Sequence, residues 1–240
     1  MEIKQFKALF KEYLDKIKID VEDSKIEKFF DYMNLLISWN QKINLTAITE
    51  EKEIIIKHFI DSLTINKYIE NYNKIYDIGS GAGFPGIPLK ILNDNKEFTL
   101  IDALNKRIVF LNEIKDKLEL KQIELIHGRV EDLAKNIEYR EKGEVVVSRA
   151  VANLSTLVEY MLPFVKIGGI CICMKGNNIS EELKNAEKAI NILGGELENI
   201  DNFVLPGSDL ERNIVIIRKI KNTSSKYPRK AGIPSKKPLQ

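Results

Sequence analysis

Asp77-Ile78-Gly79-Ser80-Gly81-Ala82-Gly83-Phe84-Pro85-Gly86 is the stretch from which the fold can be read. An apolar strand, Ile75–Ile78, runs into this glycine-rich bend, and a helix follows it. Glycine tolerates positive φ and lets a ligand approach where a Cβ would collide. The start of the next helix presents free N–H groups. Gly79-x-Gly81-x-Gly83 suits S-adenosylmethionine, Gly81-x-Gly83-x-x-Gly86 satisfies the dinucleotide fingerprint, and a tight turn with no ligand is the third reading. Asp102, about twenty residues on at the end of the strand Phe98–Ile101, does not separate the two ligands, because both present a ribose there.

Downstream of the bend the pattern keeps alternating. Ile123–Ile126, Val145–Val147 and Gly169–Met174 are short apolar runs separated by helical segments, which predicts a parallel sheet covered by helices on both faces. Ser180–Leu193 reads as a helix, and two strands follow, Leu197–Leu205 and Asn213–Ile220. The short link Pro206-Gly207-Ser208-Asp209 predicts that these two pair as an antiparallel hairpin. Five parallel strands ending in a hairpin are the layout of a class I methyltransferase. A nicotinamide enzyme would continue βαβ and add a substrate domain, for which too little chain remains. The expected fold is therefore α/β, a Rossmann-like seven-stranded sheet.

Upstream, Ile3, Phe6, Leu9, Phe10, Tyr13, Leu14 and Ile17 recur at helical spacing, as do Ile26, Phe29, Phe30, Met33, Leu36 and Ile37. A third helical stretch after Thr49 buries Ile54, Ile55, Phe59 and Leu63, with Trp39, Asn40, Asn44 and Thr46 in the connection before it. The chain thus divides into a helical cap over 1–70, a methyltransferase domain over 71–220 and a basic tail over 221–240.

Composition narrows the classes further. The 240 residues are 44% hydrophobic, ample for a core. No stretch is long and apolar enough to span a bilayer, and the first residues show neither a signal peptide nor a transit peptide, so a cytoplasmic protein is expected. Cys171 and Cys173 share one face of a strand and read as small core residues. His58 and His127 lack ligand-like neighbours, so no metal site is expected. The net charge of +2 hides an asymmetry: residues 218–240 hold eight Lys or Arg and no acid, leaving 29 basic and 35 acidic side chains elsewhere, a net −6. A basic tail on an acidic body suggests a polyanionic partner, with a merely solubilising tail as the plainer alternative.

For a methyl donor, Gly79, Gly81 and Gly83 would approach the methionine half and Phe84 would wall the pocket. Asp102 would accept from the ribose with Ala103 and Leu104 beside it, and Val130 and Glu131 would lie near the adenine. Strand four ends in Ser148-Arg149-Ala150-Val151-Ala152, nearest the reacting atom. This loop has no Asn/Asp-Pro-Pro-aromatic element for an exocyclic amine and no cysteine nucleophile for a pyrimidine carbon. A ring nitrogen such as guanine N7 needs neither, because its lone pair is already available and positioning supplies the catalysis. Arg149 and Lys175 would orient guanine or its phosphates, and Arg129 and Arg212 would extend the positive lining, unless they are surface ion-pair partners.

Several stretches together resemble the bacterial 16S ribosomal RNA guanine-N7 methyltransferase G family, also called glucose-inhibited division protein B. These are Trp39–Thr46, His58–Leu63, Asp77–Gly86, Ser148–Ala152 and Tyr227–Pro234, and the match spans almost the whole chain. The resemblance implies a class I fold and methyl transfer from S-adenosylmethionine to N7 of one guanine in the 530 loop of 16S rRNA, free or within a small-subunit assembly particle. It implies cofactor contacts at Gly79, Phe84, Asp102 to Leu104, Val130, Glu131 and Arg149, and it puts the first helices and the tail on an RNA-facing or closing surface. The rival expectations are a nicotinamide-dependent dehydrogenase and a non-catalytic rRNA-binding assembly factor.

Overall fold

The computed structural model describes residues 1–149, 151–177 and 179–239; Ala150 of the strand-four motif lies outside them. Helix α1 (Ile3–Lys16) is opened by reciprocal capping between Glu2 and Gln5. It buries Phe6, Phe10, Tyr13 and Leu14 at helical spacing. These meet the apolar face of α2 (Asp23–Asn40), where the Phe10 and Phe29 rings lie 4.8 Å apart. Helix α2 runs through Trp39 and Asn40, which the sequence reading places in a connection. Asn40 shapes the bend after it, accepting from the Leu45 and Thr46 amides at 2.8 and 3.0 Å and donating to the Thr46 carbonyl at 2.9 Å. Trp39 packs on Phe110, 5.6 Å away.

The third helical stretch is continuous but not uniform. A π-helical turn, Ile55–Ile60, joins α3 (Glu51–Ile54) to α4 (Asp61–Leu63). Such turns widen a helix by one residue and are frequent at functional sites. This one contains His58 and abuts Asp61.

The rest is the alternating body: β1 (Lys74–Ile78), α5 (Gly86–Leu92), β2 (Glu97–Asp102), α6 (Asn105–Lys117), β3 (Ile123–His127), α7 (Val130–Leu133) and β4 (Gly143–Arg149), then α8 (Leu154–Met161), β5 (Val165–Lys175), α9 (Ile179–Ile192), β6 (Gly195–Val204), β7 (Glu211–Lys219) and α10 (Ile233–Lys236). The sheet order is β3-β2-β1-β4-β5-β7-β6. Strands β1 to β5 run parallel, and β7 is antiparallel to both β5 and β6. The predicted hairpin is present, with β7 inserted between β5 and β6. Strand order reverses between β1 and β4, and in such sheets the crevice outside the carboxyl ends at that point receives the ligand.

Period two along the strands divides the core. Ile75, Val145, Val147, Ile172 and Ile216 face a layer made by α5, α6 and the N-terminal helices, whereas Tyr76, Val146, Cys171, Cys173 and Val215 face α8 and α9. Both cysteines are buried there, as expected. The N-terminal cap therefore shares one apolar core with the sheet. Phe59 ties the two, with its ring 5.2 Å from Phe29, 5.3 Å from Tyr32 and 6.1 Å from Phe84 in the glycine bend. Replacing it with alanine is expected to cost about 3–5 kcal/mol in urea unfolding with one transition retained. A loss below about 1 kcal/mol, or a separate early transition, would show that the cap is not integral to the core.

Candidate active site

Outside the carboxyl ends of β1 to β4 lies a cleft of about 540 Å³. Gly79, Gly81 and Phe84 line it after β1, Asp102, Ala103 and Leu104 after β2, Arg129, Val130 and Glu131 after β3, and Arg149 at the end of β4. Of the residues expected to touch a cofactor, Gly83 alone is not on its wall. Leu104 and Val151, both on that wall, keep 45% and 39% of their surface exposed, apolar area that a flat ligand would cover.

The glycines of the bend serve different ends. At Gly79, φ is +71° and a Cβ would stand 2.7 Å from the Val151 side chain, so the approach to the cleft floor is open to glycine alone. At Gly83, φ is +98° and a Cβ would come within 2.6 to 2.9 Å of Ile87, Tyr32 and Leu111. Gly83 is thus a packing position between the bend and the cap. Gly86 is another: a Cβ there would meet Asp77 Oδ2 at 2.6 Å. The overlap with a dinucleotide fingerprint comes from these close contacts.

Two buried carboxylates hold the bend. Asp77 is fully buried; its Oδ2 accepts from the Gly86 amide at 2.8 Å, and its Oδ1 has no hydrogen-bond partner among the described residues. Burial pushes its pKa up to about 7, against the opposing pull of that amide and of Arg149. Asp102 accepts from the Leu104 amide at 2.8 Å through Oδ1, and from the Gly81 amide at 2.9 Å and Arg107 at 3.1 Å through Oδ2. A carboxylate offers about four acceptor positions, of which the described residues fill three and leave one for a ligand. The acid expected to face a ribose is first of all the brace between two loops of its own cleft.

Arg149 is the most constrained of the expected cations. Its Nη1 donates to the Lys57 carbonyl at 2.9 Å and to Asp61 Oδ2 at 3.0 Å, its Nη2 donates to His58 Nδ1 at 3.0 Å, and its guanidinium lies 5.0 Å from the centre of the Phe84 ring. Since arginine only donates, His58 Nδ1 accepts, and Nε2–H donates to Thr46 Oγ1 at 2.8 Å. His58 stacks on Phe84 at 4.2 Å, and burial first, then the charge of Arg149, lowers its pKa to about 3. It is neutral at physiological pH. Asp61 also accepts from Arg212 Nε at 2.8 Å, so one carboxylate serves two guanidinium groups.

A second cleft, of about 370 Å³, opens on the far side of this knot. Ile48, Met174, Leu210, Lys175 and Arg212 line it, and it shares His58 and Arg149 with the first. Lys175 donates to the Ala152 carbonyl at 2.8 Å and pairs with Glu182 at 2.7 Å. The four expected cations are therefore not one lining: Arg129 is at the first cleft, Lys175 and Arg212 are at the second, and Arg149 is the partition. His58 and Asp61 are not among the residues expected at the site, although both stand in the His58–Leu63 stretch that carries the family resemblance, which is the signal for them in the sequence.

Fold and cleft together define a class I methyltransferase. The model of the GidB family, rRNA small subunit methyltransferase G, matches residues 25–215, and the chain belongs to that family. It is 51% identical over 238 residues to the ribosomal RNA small subunit methyltransferase G of Alkaliphilus oremlandii, covering 98% of this chain and 100% of the relative. Among solved structures, precorrin-6y C5,15-methyltransferase of Geobacter metallireducens superposes with a TM-score of 0.51 at 12% identity, over 74% of this chain and 93% of that one. M. jannaschii TYW2 in complex with AdoMet gives 0.50 at 18% identity, over 68% and 76%. The nicotinamide reading is set aside.

The raised pKa of Asp77 has a testable sign. An unfolded aspartate titrates near 3.9, so the folded state holds this proton more tightly; the associated stability is complete below about pH 4 and lost as pH rises through about 7. Asp77→Asn should therefore gain in melting temperature relative to the parent between pH 5 and pH 8. A difference that does not change with pH would refute the assignment.

Proposed function

We propose that the first cleft holds S-adenosylmethionine and that the second admits a guanine of small-subunit rRNA, which is methylated at N7. In this reading the methionine end rests on the Gly79–Gly81 turn, the ribose reaches the remaining acceptor position of Asp102, and the adenine lies between Leu104 and the Val130–Glu131 turn. The open floor at Gly79 and the exposed Leu104 fit such a ligand. S-adenosylmethionine supplies a methyl group on a positively charged sulfur. The chain then has to align the acceptor and keep water from the methyl.

One observation carries the choice of acceptor: His58 and Asp61, the two groups at the partition that could serve as bases toward the second cleft, are already engaged. Both nitrogens of His58 are hydrogen-bonded and its pKa is near 3. Asp61, 2% exposed, is held between Arg149 and Arg212. An amine or hydroxyl would need to lose a proton during transfer, whereas N7 of guanine attacks with a lone pair it already has. The new N–C bond forms as the S–C bond breaks, leaving a thioether and a cationic base. Alignment by Arg149, Lys175 and Arg212 is then the protein's main contribution. The family match supports 16S rRNA as the substrate, and the resemblance supports a guanine of the 530 loop, on free RNA or an assembling particle. The cytoplasm is where such a substrate is made.

Purified protein should transfer labelled methyl to small-subunit rRNA or its assembly intermediates, and mass mapping should place the label on one guanine; no transfer where a control methyltransferase succeeds would reject the reading. Gly79→Asp should abolish S-adenosylhomocysteine binding. Lys175→Ala should lower kcat/KM for RNA about tenfold while leaving that affinity within about twofold. An equal loss of both would place Lys175 in the donor site instead.

A further inference from the structure

The basic tail does not hang free. After β7 it crosses α8, with Tyr227 8% exposed and Pro234 buried. Arg229 forks onto Glu159, a fully buried carboxylate of α8, with Nε to Oε1 at 3.0 Å and Nη2 to Oε2 at 2.6 Å, and the Arg229 amide donates to the same group at 2.8 Å. Thr156 donates to the Pro234 carbonyl at 3.1 Å.

The tail also grips α7 from both ends. At its start, the Gly232 amide donates to Glu131 Oε1 at 3.1 Å. At its end, Arg140 donates to the Ala134 carbonyl at 2.9 Å and, with its remaining Nη hydrogens, to the carbonyls of Tyr227, Thr223 and Ser224 at 2.9, 2.7 and 3.2 Å. Helix α7 is a single turn, too short to hold itself in place, yet it carries Val130 and Glu131 on the wall of the first cleft.

We propose that residues 223–235 form a strap that positions the Val130–Glu131 wall of the donor cleft, with the Arg229–Glu159 pair as its clasp. The strap gives this basic segment a role in donor affinity through its backbone and one buried ion pair, distinct from phosphate binding by its lysines. Arg229 and Glu159 are positioning residues, since neither lines the cleft. The proposal rests on the first cleft being the donor site.

Because coupling between two sites is reciprocal, a bound donor should hold the strap down as the strap holds the donor. In the full-length protein, S-adenosylhomocysteine should slow tryptic cleavage at Lys226 and Lys230 about tenfold relative to cleavage elsewhere in the chain. Arg229→Gln should raise the calorimetric Kd for S-adenosylhomocysteine about tenfold, with Arg229→Lys in between and the salt dependence of rRNA binding changed by less than one lysine contact, a slope of about 0.7 to 0.9. Unprotected strap sites, or an unchanged Kd in a folded Arg229→Gln protein, would overturn the strap. The protection measurement needs no variant and decides the question even if Arg229→Gln does not fold. A parent protein that binds no S-adenosylhomocysteine would instead overturn the reading of the cleft itself.

Discussion

One buried carboxylate between two arginines holds the two halves of this molecule in register. Asp61 sits on the third helical stretch of the cap, Arg149 ends β4 and Arg212 lies in β7, so their bonds stitch the cap to two strands of the sheet. A charge 2% exposed is costly unless paired, and its removal would leave two partly buried guanidinium groups without a counter-charge. The π-helical turn that precedes Asp61 points the Lys57 carbonyl and the His58 ring at the same guanidinium. Local irregularity in the helix is thus matched to the donor geometry of one arginine.

The same knot separates the two clefts. Phe84 carries His58 on one side of its network and Tyr32 on the other, with ring centres 4.2 and 5.4 Å away, while Tyr32 donates to the Ala82 carbonyl inside the glycine bend. The position of the bend therefore depends on aromatic packing from a helix in the cap. Arg149, Arg212 and Lys175 share two carboxylates, Asp61 and Glu182, so these contacts shape the clefts and leave one of the three positive charges without a counter-charge among the described residues. Exposed groups such as Arg129 add to it.

Much of the fold was legible because it rests on local rules. Parallel strands buried on both faces must be nearly continuous apolar runs, and Val145–Val147 is one. A four-residue link between two strands leaves an antiparallel hairpin as the simple solution. The bend announced itself by glycines at positions where no other residue fits. Helix α2 ran beyond its expected end because Asn40, a residue that favours caps, turned its side chain onto the loop after the helix instead.

The sequence by itself determined the order of strands and helices, the class of fold, and the place of the cleft beside Gly79, since each follows from spacing and backbone sterics within short windows. Tertiary structure alone decided which side chains share a charge. Arg149 and Arg212 reach Asp61 from 88 and 151 positions away, Arg229 reaches Glu159 from 70, and Gly232 reaches Glu131 from 101. Composition showed a basic tail and a set of arginines. Whether each meets solvent, RNA or a buried acid depends on desolvation and on partners brought close only by the finished core.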